Sequence, residues 1–396
     1  MRPDKIINES RGFDPHAFFY SRTDKRGVIR SGNGIFFDVS GYDPEALIGA
    51  PHRIVRHPDM PRGLFHLLWA AIQAGEPMGA YVKNLAQDGR YYWVFAVLQP
   101  LDDGYISVGL GARGALFEKT QAVYATMLKA EEAGMSPADS GDLLLRELAA
   151  LGFPGHRNYL AQLLLQHVGD PQRPDGTLSH LDRLQQSMGR VAESRNALIE
   201  TLRTLYLIPT NMRILASRLE PSGGPVSAIS DSYKRAAAEL MARLNGAGQP
   251  GGAATGAEDG LNQITRAVIA TGTAQILRDA VRQFSGEAAV AGVDHATESE
   301  ALARLVADLE AASTDSTDQM MRTVAHISRE AEHIKRLMAG LDQIRILGEV
   351  ESGRLRNSDG GLAAVMAQLT SFHAQIHTRL TAMSNIAARM QAGGAI

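Results

Sequence analysis

The sequence contains no cysteine, and this absence excludes a whole group of sites. Disulfide bridges, thiolate zinc sites, iron–sulfur clusters and a cysteine nucleophile all require thiol groups. The chain also carries little excess charge of either sign, with a formal net charge of −3 at pH 7. Because nothing in this balance favours a nucleic acid or an acidic membrane surface, neither is expected as a partner.

Long apolar runs are missing as well. No window approaches the roughly 20 uninterrupted apolar residues that a membrane helix needs, so no transmembrane segment is expected. Residues 1–5 lack the apolar core of a signal peptide, and we therefore expect a soluble, cytoplasmic protein. The chain also lacks a phosphate-binding loop, a nucleophile elbow and paired catalytic carboxylates with supporting context, so an enzyme is not expected.

Aromatic residues make up only 6% of the chain and are concentrated towards its start. Both tryptophans, Trp69 and Trp93, precede residue 115, after which the sequence is rich in residues that favour long helices. At 396 residues the chain also exceeds what one hydrophobic core usually serves. The change in composition predicts an N-terminal α+β domain followed by an all-helical region.

Short strand patterns surround a helical segment in the N-terminal part. The predicted strands are residues 18–21, 27–30, 80–85, 90–98 and 105–109. Between the second and third strands, Leu64, Leu68 and Ile72 recur at the spacing of a helix with one buried face. Asp88-Gly89 is a tight-turn signal between two of the later strands. We therefore expect an antiparallel five-stranded sheet with flanking helices.

Several motifs in this region carry a family resemblance. In chain order they are Gly49-Ala50-Pro51-His52, Arg56-His57-Pro58-Asp59-Met60-Pro61, Gly75-Glu76-Pro77, Lys83-Asn84 and Tyr92-Trp93-Val94. Together they resemble the flavin-binding PAS domain of bacterial aerotaxis receptors over residues 10–115. The resemblance implies FAD held non-covalently, with Arg56, His57, Asp59 and Asn84 at or near the cofactor.

The chemistry of these residues is consistent with a flavin. An isoalloxazine ring needs a mostly apolar slot with a few fixed donors and acceptors at its polar edge. The amide of Asn84 can donate and accept there, and Arg56 can bind a phosphate or an anionic flavin edge. Trp69 and Trp93 either flank the ring or fill the core.

Two other interpretations of the pocket stay open. Met78 stands where several receptors of the family carry an aromatic residue, which leaves a haem-binding PAS domain as the main alternative. Its axial ligand would be His52, His57 or His66. The third interpretation is a cofactor-free PAS domain that serves as a scaffold or adaptor.

The rest of the chain is predicted to be helical. Residues 116–168 form a helical connector, residues 169–176 a linker, and residues 177–396 a region with two helical hairpins. The hairpin tips are expected near residues 219–225 and 355–361, and a flexible linker at 246–256 joins the hairpins. Each tip resembles, in degraded form, that of methyl-accepting chemotaxis proteins. Asn211 and Arg218 keep family positions in the first copy, and Glu351 and Arg354 in the second.

This second resemblance implies partners and an assembly. A chemotaxis kinase, its coupling protein or another signalling protein would contact the tips. The four amphipathic arms would pack as a four-helix bundle, either within a monomer or in a homodimer.

His373 and His377 have the one-turn spacing of zinc ligands, but no third ligand is apparent and a solvated helix face is predicted. The whole chain is interpreted as a redox or oxygen sensor with chemotaxis-like signalling.

Overall fold

The computed structural model describes residue 3 and residues 5–169, 176–205, 208–219, 224–244, 256–286, 293–354 and 361–393. The chain divides into two compact units. Unit 1 comprises Met1–Ser179 and Thr265–Thr314, and unit 2 comprises His180–Ile264 and Asp315–Ile396. The predicted division at 10–115, 116–168 and 177–396 follows chain order, whereas unit 1 also includes a segment from far along the chain. The centres of the predicted linkers and hairpin tips lie outside the described residues.

Unit 1 contains the expected antiparallel five-stranded sheet. Its strands are β1 (Phe19–Asp24), β2 (Ile29–Gly32), β3 (Met78–Leu85), β4 (Tyr91–Leu101) and β5 (Gly104–Gly111). The spatial order is β2-β1-β5-β4-β3, and every neighbouring pair is antiparallel. Gly89, with φ of 88°, occupies the predicted turn between β3 and β4. Only glycine adopts this left-handed conformation without strain.

Helices between β2 and β3 cover one face of the sheet. They are α1 (Gly34–Ser40), α2 (Pro44–Leu47) and α3 (Arg62–Gln73), with a 3₁₀ turn at His52–Val55. Buried Asn33 caps α1 by accepting a hydrogen bond from the Phe36 amide, and it also accepts one from the Tyr20 amide. This side chain therefore joins the start of β1 to the helical side. A compact core lies beneath these elements, formed by Ile29, Phe36, Phe37, Tyr42, Leu47 and Val55.

Two of the next three helices of unit 1 pack on the opposite face of the sheet, and the middle one packs against α3. The chain continues with α4 (Ala115–Glu132), α5 (Pro137–Ala150) and α6 (His156–Val168). The Tyr124 hydroxyl of α4 donates to the Tyr81 carbonyl of β3 at 3.0 Å. A Cβ atom at Gly79 would lie 2.3 Å from Leu160, which shows how closely α6 approaches β3. Within the predicted helical connector, α4 and α6 thus cover the sheet, whereas α5 packs against α3.

Unit 2 is entirely helical where described, as expected. The remaining helices of the chain are α7 (Thr177–Leu205), α8 (Ile208–Leu219), α9 (Pro225–Leu244), α10 (Ala257–Gly286), α11 (His295–Arg354) and α12 (Gly361–Gln391). Within unit 2, α8 packs against α9 and α12. The Tyr233 hydroxyl of α9 donates to the Leu341 carbonyl of α11 at 3.2 Å. The arms of both predicted hairpins therefore share one core.

The prediction for His373 is wrong, because this side chain is buried. Its Nδ1 atom lies 2.7 Å from Asp342 Oδ1, and its Nε2 atom lies 3.0 Å from the Tyr233 hydroxyl. Burial lowers the pKa of His373, and the neighbouring Asp342 carboxylate opposes that shift. His377 is exposed, as predicted. In the part of the chain covered by the structure, no cluster of three potential metal ligands occurs.

Candidate functional site

A cavity of ≈ 600 Å³ lies in unit 1 between the sheet and α1 and α3. We call the side of the sheet that faces this cavity the inner face. The lining is mostly apolar, as a flat organic ligand requires. Its apolar residues include Phe19, Val28, Phe36, Val55, Phe65, Leu68, Trp69, Ile72, Val82, Val94, Ala96 and Leu98.

Strand alternation decides which of the two tryptophans reaches the cavity. On β4, Val94, Ala96 and Leu98 line it, so Trp93 points to the outer face. There the Trp93 ring lies 5.3 Å from the Phe117 ring of α4. Trp69 projects from α3 into the cavity wall, edge-on to Tyr105. Trp69 is therefore available to a ligand, whereas Trp93 packs in the core between sheet and helix.

Arg56 and Asn84 meet at the polar edge of the cavity. Their backbones form a β-bridge, and both residues line the cavity. The Arg56 guanidinium lies 3.6 Å above the Phe65 ring and donates to the Met60 carbonyl at 3.2 Å. Within the described residues, the carboxamide of Asn84 has no hydrogen-bond partner. A partly buried amide of this kind can both donate to and accept from a bound ligand.

His52 contributes a second polar position. Its Nε2 atom lies 3.1 Å from the Ser21 hydroxyl of β1, and its ring stacks on Phe36 at 5.8 Å. Burial lowers the pKa of His52 to about 4, so the imidazole is neutral at pH 7. His52 lines the cavity, whereas His66 is exposed on α3 and His57 lies behind the Arg56 loop. Of the three histidines considered as haem ligands, His52 therefore has access to the pocket.

His57 and Asp59 lie beside the cavity wall and hold the loop that carries Arg56. The Asp59 amide donates to His57 Nδ1 at 3.1 Å, and the His57 amide donates to the Lys83 carbonyl at 3.2 Å. Lys83 Nζ in turn donates to Asp59 Oδ2 at 2.7 Å and lies above the Tyr91 ring. We call His57, Asp59 and Lys83 the loop clamp. It fastens the loop to β3, an edge strand of the sheet.

The electrostatics of the loop clamp keep its carboxylate ionised. Partial burial would raise the pKa of Asp59, but the hydrogen bond and charge of Lys83 hold it below its usual value. Burial lowers the pKa of His57, the Lys83 charge adds to this shift, and the Asp59 charge opposes it. The clamp is thus an ammonium–carboxylate pair beside a neutral imidazole.

Arg53 and Arg56 also border a second, more open depression. This depression has a volume of ≈ 550 Å³ and adjoins the loop clamp. Its other lining residues are His57, Pro58, Met60, Arg62, Leu128, Glu131 and Glu132. The two arginines therefore lie where the cavity and the depression meet. Guanidinium groups at such a junction suit a phosphate or pyrophosphate group.

The predicted site residues thus separate into groups. Arg56, Asn84 and Trp69 come together around the cavity, His57 and Asp59 support it from behind, and Trp93 lies on the other face of the sheet. The sequence pattern did not single out several other lining residues as site candidates, among them Arg53, Ser21, Phe65 and Tyr105. The two-residue period of β1 and β5 would have pointed to Ser21 and Tyr105.

Comparison with known proteins identifies this domain. Residues 30–107 match the family described as PAS fold. A stretch of 115 residues is 38% identical to the aerotaxis receptor of Escherichia coli strain K12 and covers 29% of this chain and 23% of the receptor. A stretch of 102 residues is 28% identical to the bacterioopsin transcriptional activator of Halobacterium salinarum and covers 25% of this chain and 15% of that protein. The chain thus spans less than a quarter of either relative.

Part of the chain is also similar to solved structures of LOV photoreceptors. The dark structure of the blue-light photoreceptor Aureochrome1 LOV gives a TM-score of 0.24 at 18% identity, covering 30% of this chain and 98% of that chain. The structure of a fungal LOV domain photoreceptor gives a TM-score of 0.22 at 19% identity. The similarity covers 28% of this chain and 84% of that chain. The match to the PAS fold family and the sequence identity to the aerotaxis receptor show that the N-terminal part of this chain is a PAS domain with homology to that receptor. Among the helices described, none is long and apolar enough to cross a membrane.

Proposed function

We propose that the PAS domain binds FAD without a covalent link and that the chain is a redox or oxygen sensor. The observation that carries this proposal is the composition of the cavity. An apolar slot of ≈ 600 Å³ has an unpaired amide, Asn84, and a guanidinium, Arg56, together at one edge. Such a lining suits a flat ring system that is apolar on its faces and polar along one side. Homology to the aerotaxis receptor supports the same cofactor.

Each lining residue has a distinct role in this proposal. Asn84 holds the polar edge of the flavin ring, and Trp69 lies along the ring or closes the slot beside it. Arg53 and Arg56 bind the pyrophosphate where cavity and depression meet, which leaves the depression for the adenosine part. When bound, FAD supplies a ring whose charge and protonation change on reduction. The protein contributes the fixed donors and acceptors around that ring.

The environment of His52 favours flavin over haem. An axial ligand needs a ring nitrogen free to bind iron. In this cavity the His52 ring stacks on Phe36, and its Nε2 atom is within hydrogen-bond distance of the Ser21 hydroxyl. His52 would have to leave both contacts to coordinate a haem iron.

An absorption spectrum of the purified full chain tests the proposal. FAD gives two bands in the near-ultraviolet and blue, whereas haem gives one intense Soret band. We expect the flavin bands, and we expect Asn84→Ala and Arg56→Ala to weaken FAD binding by about tenfold each, because each removes a hydrogen-bonding group from a partly buried edge. His66→Ala, at an exposed position, is the control. A Soret band or a colourless protein that takes up no added FAD would refute the proposal.

The helical region is proposed to pass the signal to another protein, without enzymatic activity of its own. Ile346, Leu347 and Val350 on α11 are each at least half exposed and lie shortly before the second predicted hairpin tip. Their spacing places them on adjacent positions of one helix surface. A chemotaxis coupling protein or its kinase is the proposed partner, and either a monomer or a homodimer would present this surface. Co-sedimentation with a purified coupling protein tests the contact, and Leu347→Lys should abolish it.

A further inference from the structure

The first strand of the sheet touches the cavity on one side and a distant helix on the other. Phe19, Ser21 and Thr23 of β1 line the cavity. The residues between them, Tyr20 and Arg22, project from the outer face. Both bind Glu298, which lies in the first turn of α11. A strand of six residues therefore separates the proposed ligand from the start of a helix 60 residues long.

The contact between β1 and α11 is buried and charged. Glu298 is 8% exposed and Tyr20 1% exposed. The Tyr20 hydroxyl donates a hydrogen bond to Glu298 Oε2, and Arg22 Nη1 lies 3.1 Å from Glu298 Oε1. Arg22 is also held by Asp103 at 2.6 Å. Hydrogen bonds within an ion pair depend strongly on geometry, so a small shift of β1 changes them.

A neighbouring helix is attached to the same strand segment. The backbone amide of Phe18, immediately before β1, donates to Gln283 Oε1 of α10 at 3.0 Å. Residues 283 and 298 both belong to unit 1, although they lie more than 250 residues from β1 in sequence. The C-terminal segment of unit 1 is thus fastened to β1 at two points.

On the cavity side, β1 also forms a side-chain contact. The Ser21 hydroxyl lies 3.1 Å from His52 Nε2, and both residues line the cavity. Ser21 stands between Tyr20 and Arg22, and β1 is hydrogen-bonded to β2 on one side and β5 on the other. A strand held in this way moves as one element. A ligand that displaces Ser21 or His52 therefore also displaces the two side chains that hold Glu298.

The geometry points to β1 as the element that couples occupancy of the cavity to the first turn of α11 through Glu298. This inference rests on the proposed function in naming FAD as the ligand. Coupling between two sites is reciprocal, so a change at Glu298 must alter ligand binding although Glu298 does not line the cavity.

The first experiment measures both directions of this coupling in the full chain. Adding FAD should slow hydrogen–deuterium exchange of residues 295–305 several-fold, because the ligand braces β1. Glu298→Gln should abolish that response and weaken FAD binding by about fivefold or more, the usual lower range for coupled sites. Tyr20→Phe removes the hydroxyl alone and should act in the same direction with a smaller effect.

The matched control is Glu300→Gln, two positions along the same helix. Glu300 is exposed and pairs with Arg304 of α11. The Glu300→Gln variant should leave both the FAD affinity and the exchange response unchanged. If Glu298→Gln and Tyr20→Phe instead behave like Glu300→Gln in both measurements, the inference is overturned. Circular dichroism of each variant verifies that it is folded.

A second experiment separates this inference from the proposed function. If the wild-type chain takes up no FAD, the proposed function fails, and the coupling is then measured without ligand. Ser21→Ala removes the hydroxyl next to His52, and Glu298→Gln removes the charge on the other side of β1. Exchange of residues 295–305 in the double variant should depart from the product of the single effects by about twofold or more. Simple additivity would contradict the coupling.

Discussion

Lys83 brings a largely buried ammonium group against the exposed carboxylate of Asp59. Its backbone also accepts from the His57 amide, and its amide points at the Met60 sulfur at 3.2 Å. One residue therefore holds the Arg56 loop through both its side chain and its main chain. The loop clamp explains why a motif with two charged residues, at positions 56 and 59, directs only one of them at the cavity.

Lys83→Met is expected to weaken FAD binding by about fivefold, because the ion pair that fastens the Arg56 loop to β3 is lost. This corresponds to roughly 1 kcal/mol, the upper range for a pair with an exposed partner. Flavin fluorescence titration measures the affinity. Lys83→Arg keeps the charge and should bind nearly as well as the wild type. Lys129→Met, at an exposed position on α4, serves as the neutral control. Equal affinity in Lys83→Met and Lys129→Met would exclude the clamp as a positioning device.

The sequence predicted the chemistry of single residues better than their direction. Arg56, Asn84 and Trp69 could be selected because their side chains suit a flavin. Trp93 has equally suitable chemistry, but the parity of β4 turns it towards Phe117. His373 was misjudged for a related reason. Its partners Asp342 and Tyr233 lie 31 and 140 residues away in sequence, on other helices. No local pattern shows such neighbours.

At the scale of elements, periodicity located the strands and the first helices. All five predicted strands occur, although β3 begins at Met78 and β4 continues through Pro100 to Leu101. The way in which helices approach one another was not predictable from these patterns. A carboxylate of α4, Glu131, accepts hydrogen bonds from the amides of Arg62 and Gly63 at the start of α3. This contact depends on packing between elements that lie 69 residues apart.

The close approach of α3 and α5 gives a stability prediction. A Cβ atom at Gly63 would lie 2.5 Å from the Ser140 carbonyl carbon, which belongs to the backbone of α5. Gly63→Ala should therefore destabilise unit 1 by about 1–3 kcal/mol, the usual cost of overpacking. Thermal unfolding followed by circular dichroism measures the effect.

Gly189→Ala is the matched control for that substitution. Gly189 lies in α7, and nothing stands within 4 Å of an added Cβ atom. Because alanine favours helix more than glycine does, this variant should be stable or gain up to about 1 kcal/mol. If Gly63→Ala unfolds at the same temperature as Gly189→Ala, α3 and α5 do not approach as closely as described.

At the scale of the whole molecule, three histidines of unit 1 predict acid sensitivity. Burial lowers the pKa of His52, His156 and His167 to about 4, from an ordinary value of 6.5. Between pH 6.5 and 4 the unfolded chain therefore binds more protons than the folded one. Stability of unit 1 should fall as pH decreases through this window, by at most about 1.4 kcal/mol per pH unit for each histidine.

Urea unfolding at pH 7.5, 6.0 and 5.0 measures this slope. His156→Gln is the informative variant, because glutamine can still donate to the Gly79 carbonyl that His156 Nε2 contacts at 2.9 Å. It should reduce the pH dependence by up to about one third, since it removes one of three similar groups. Glu131, whose pKa is lowered in the folded chain, adds to the loss of stability near its ordinary value of 4.5, so the measurements stay at pH 5.0 or above. An unchanged slope would mean that His156 titrates normally in the folded chain.

Nothing in the sequence indicated which chain segments make up unit 1. Composition and periodicity are local quantities, so they divided the chain where its character changes, near residue 115. The structure instead adds Thr265–Thr314 to the N-terminal part, through Gln283 and Glu298. Each of these is an ordinary polar residue in a helical pattern. Their role becomes visible only from the groups at β1 that they contact.

This discontinuous construction has a consequence for biosynthesis. A ribosome completes β5 at residue 111 but delivers Glu298 nearly 190 residues later. At a translation rate of roughly 5–20 residues per second, on the order of 10–40 s pass between the synthesis of β5 and that of Glu298. Tyr20 and Arg22 have no Glu298 to bind until then. During this interval the outer face of β1 is open to other binding partners, including chaperones. Translation speed between residues 111 and 298 should therefore influence the yield of correctly folded protein.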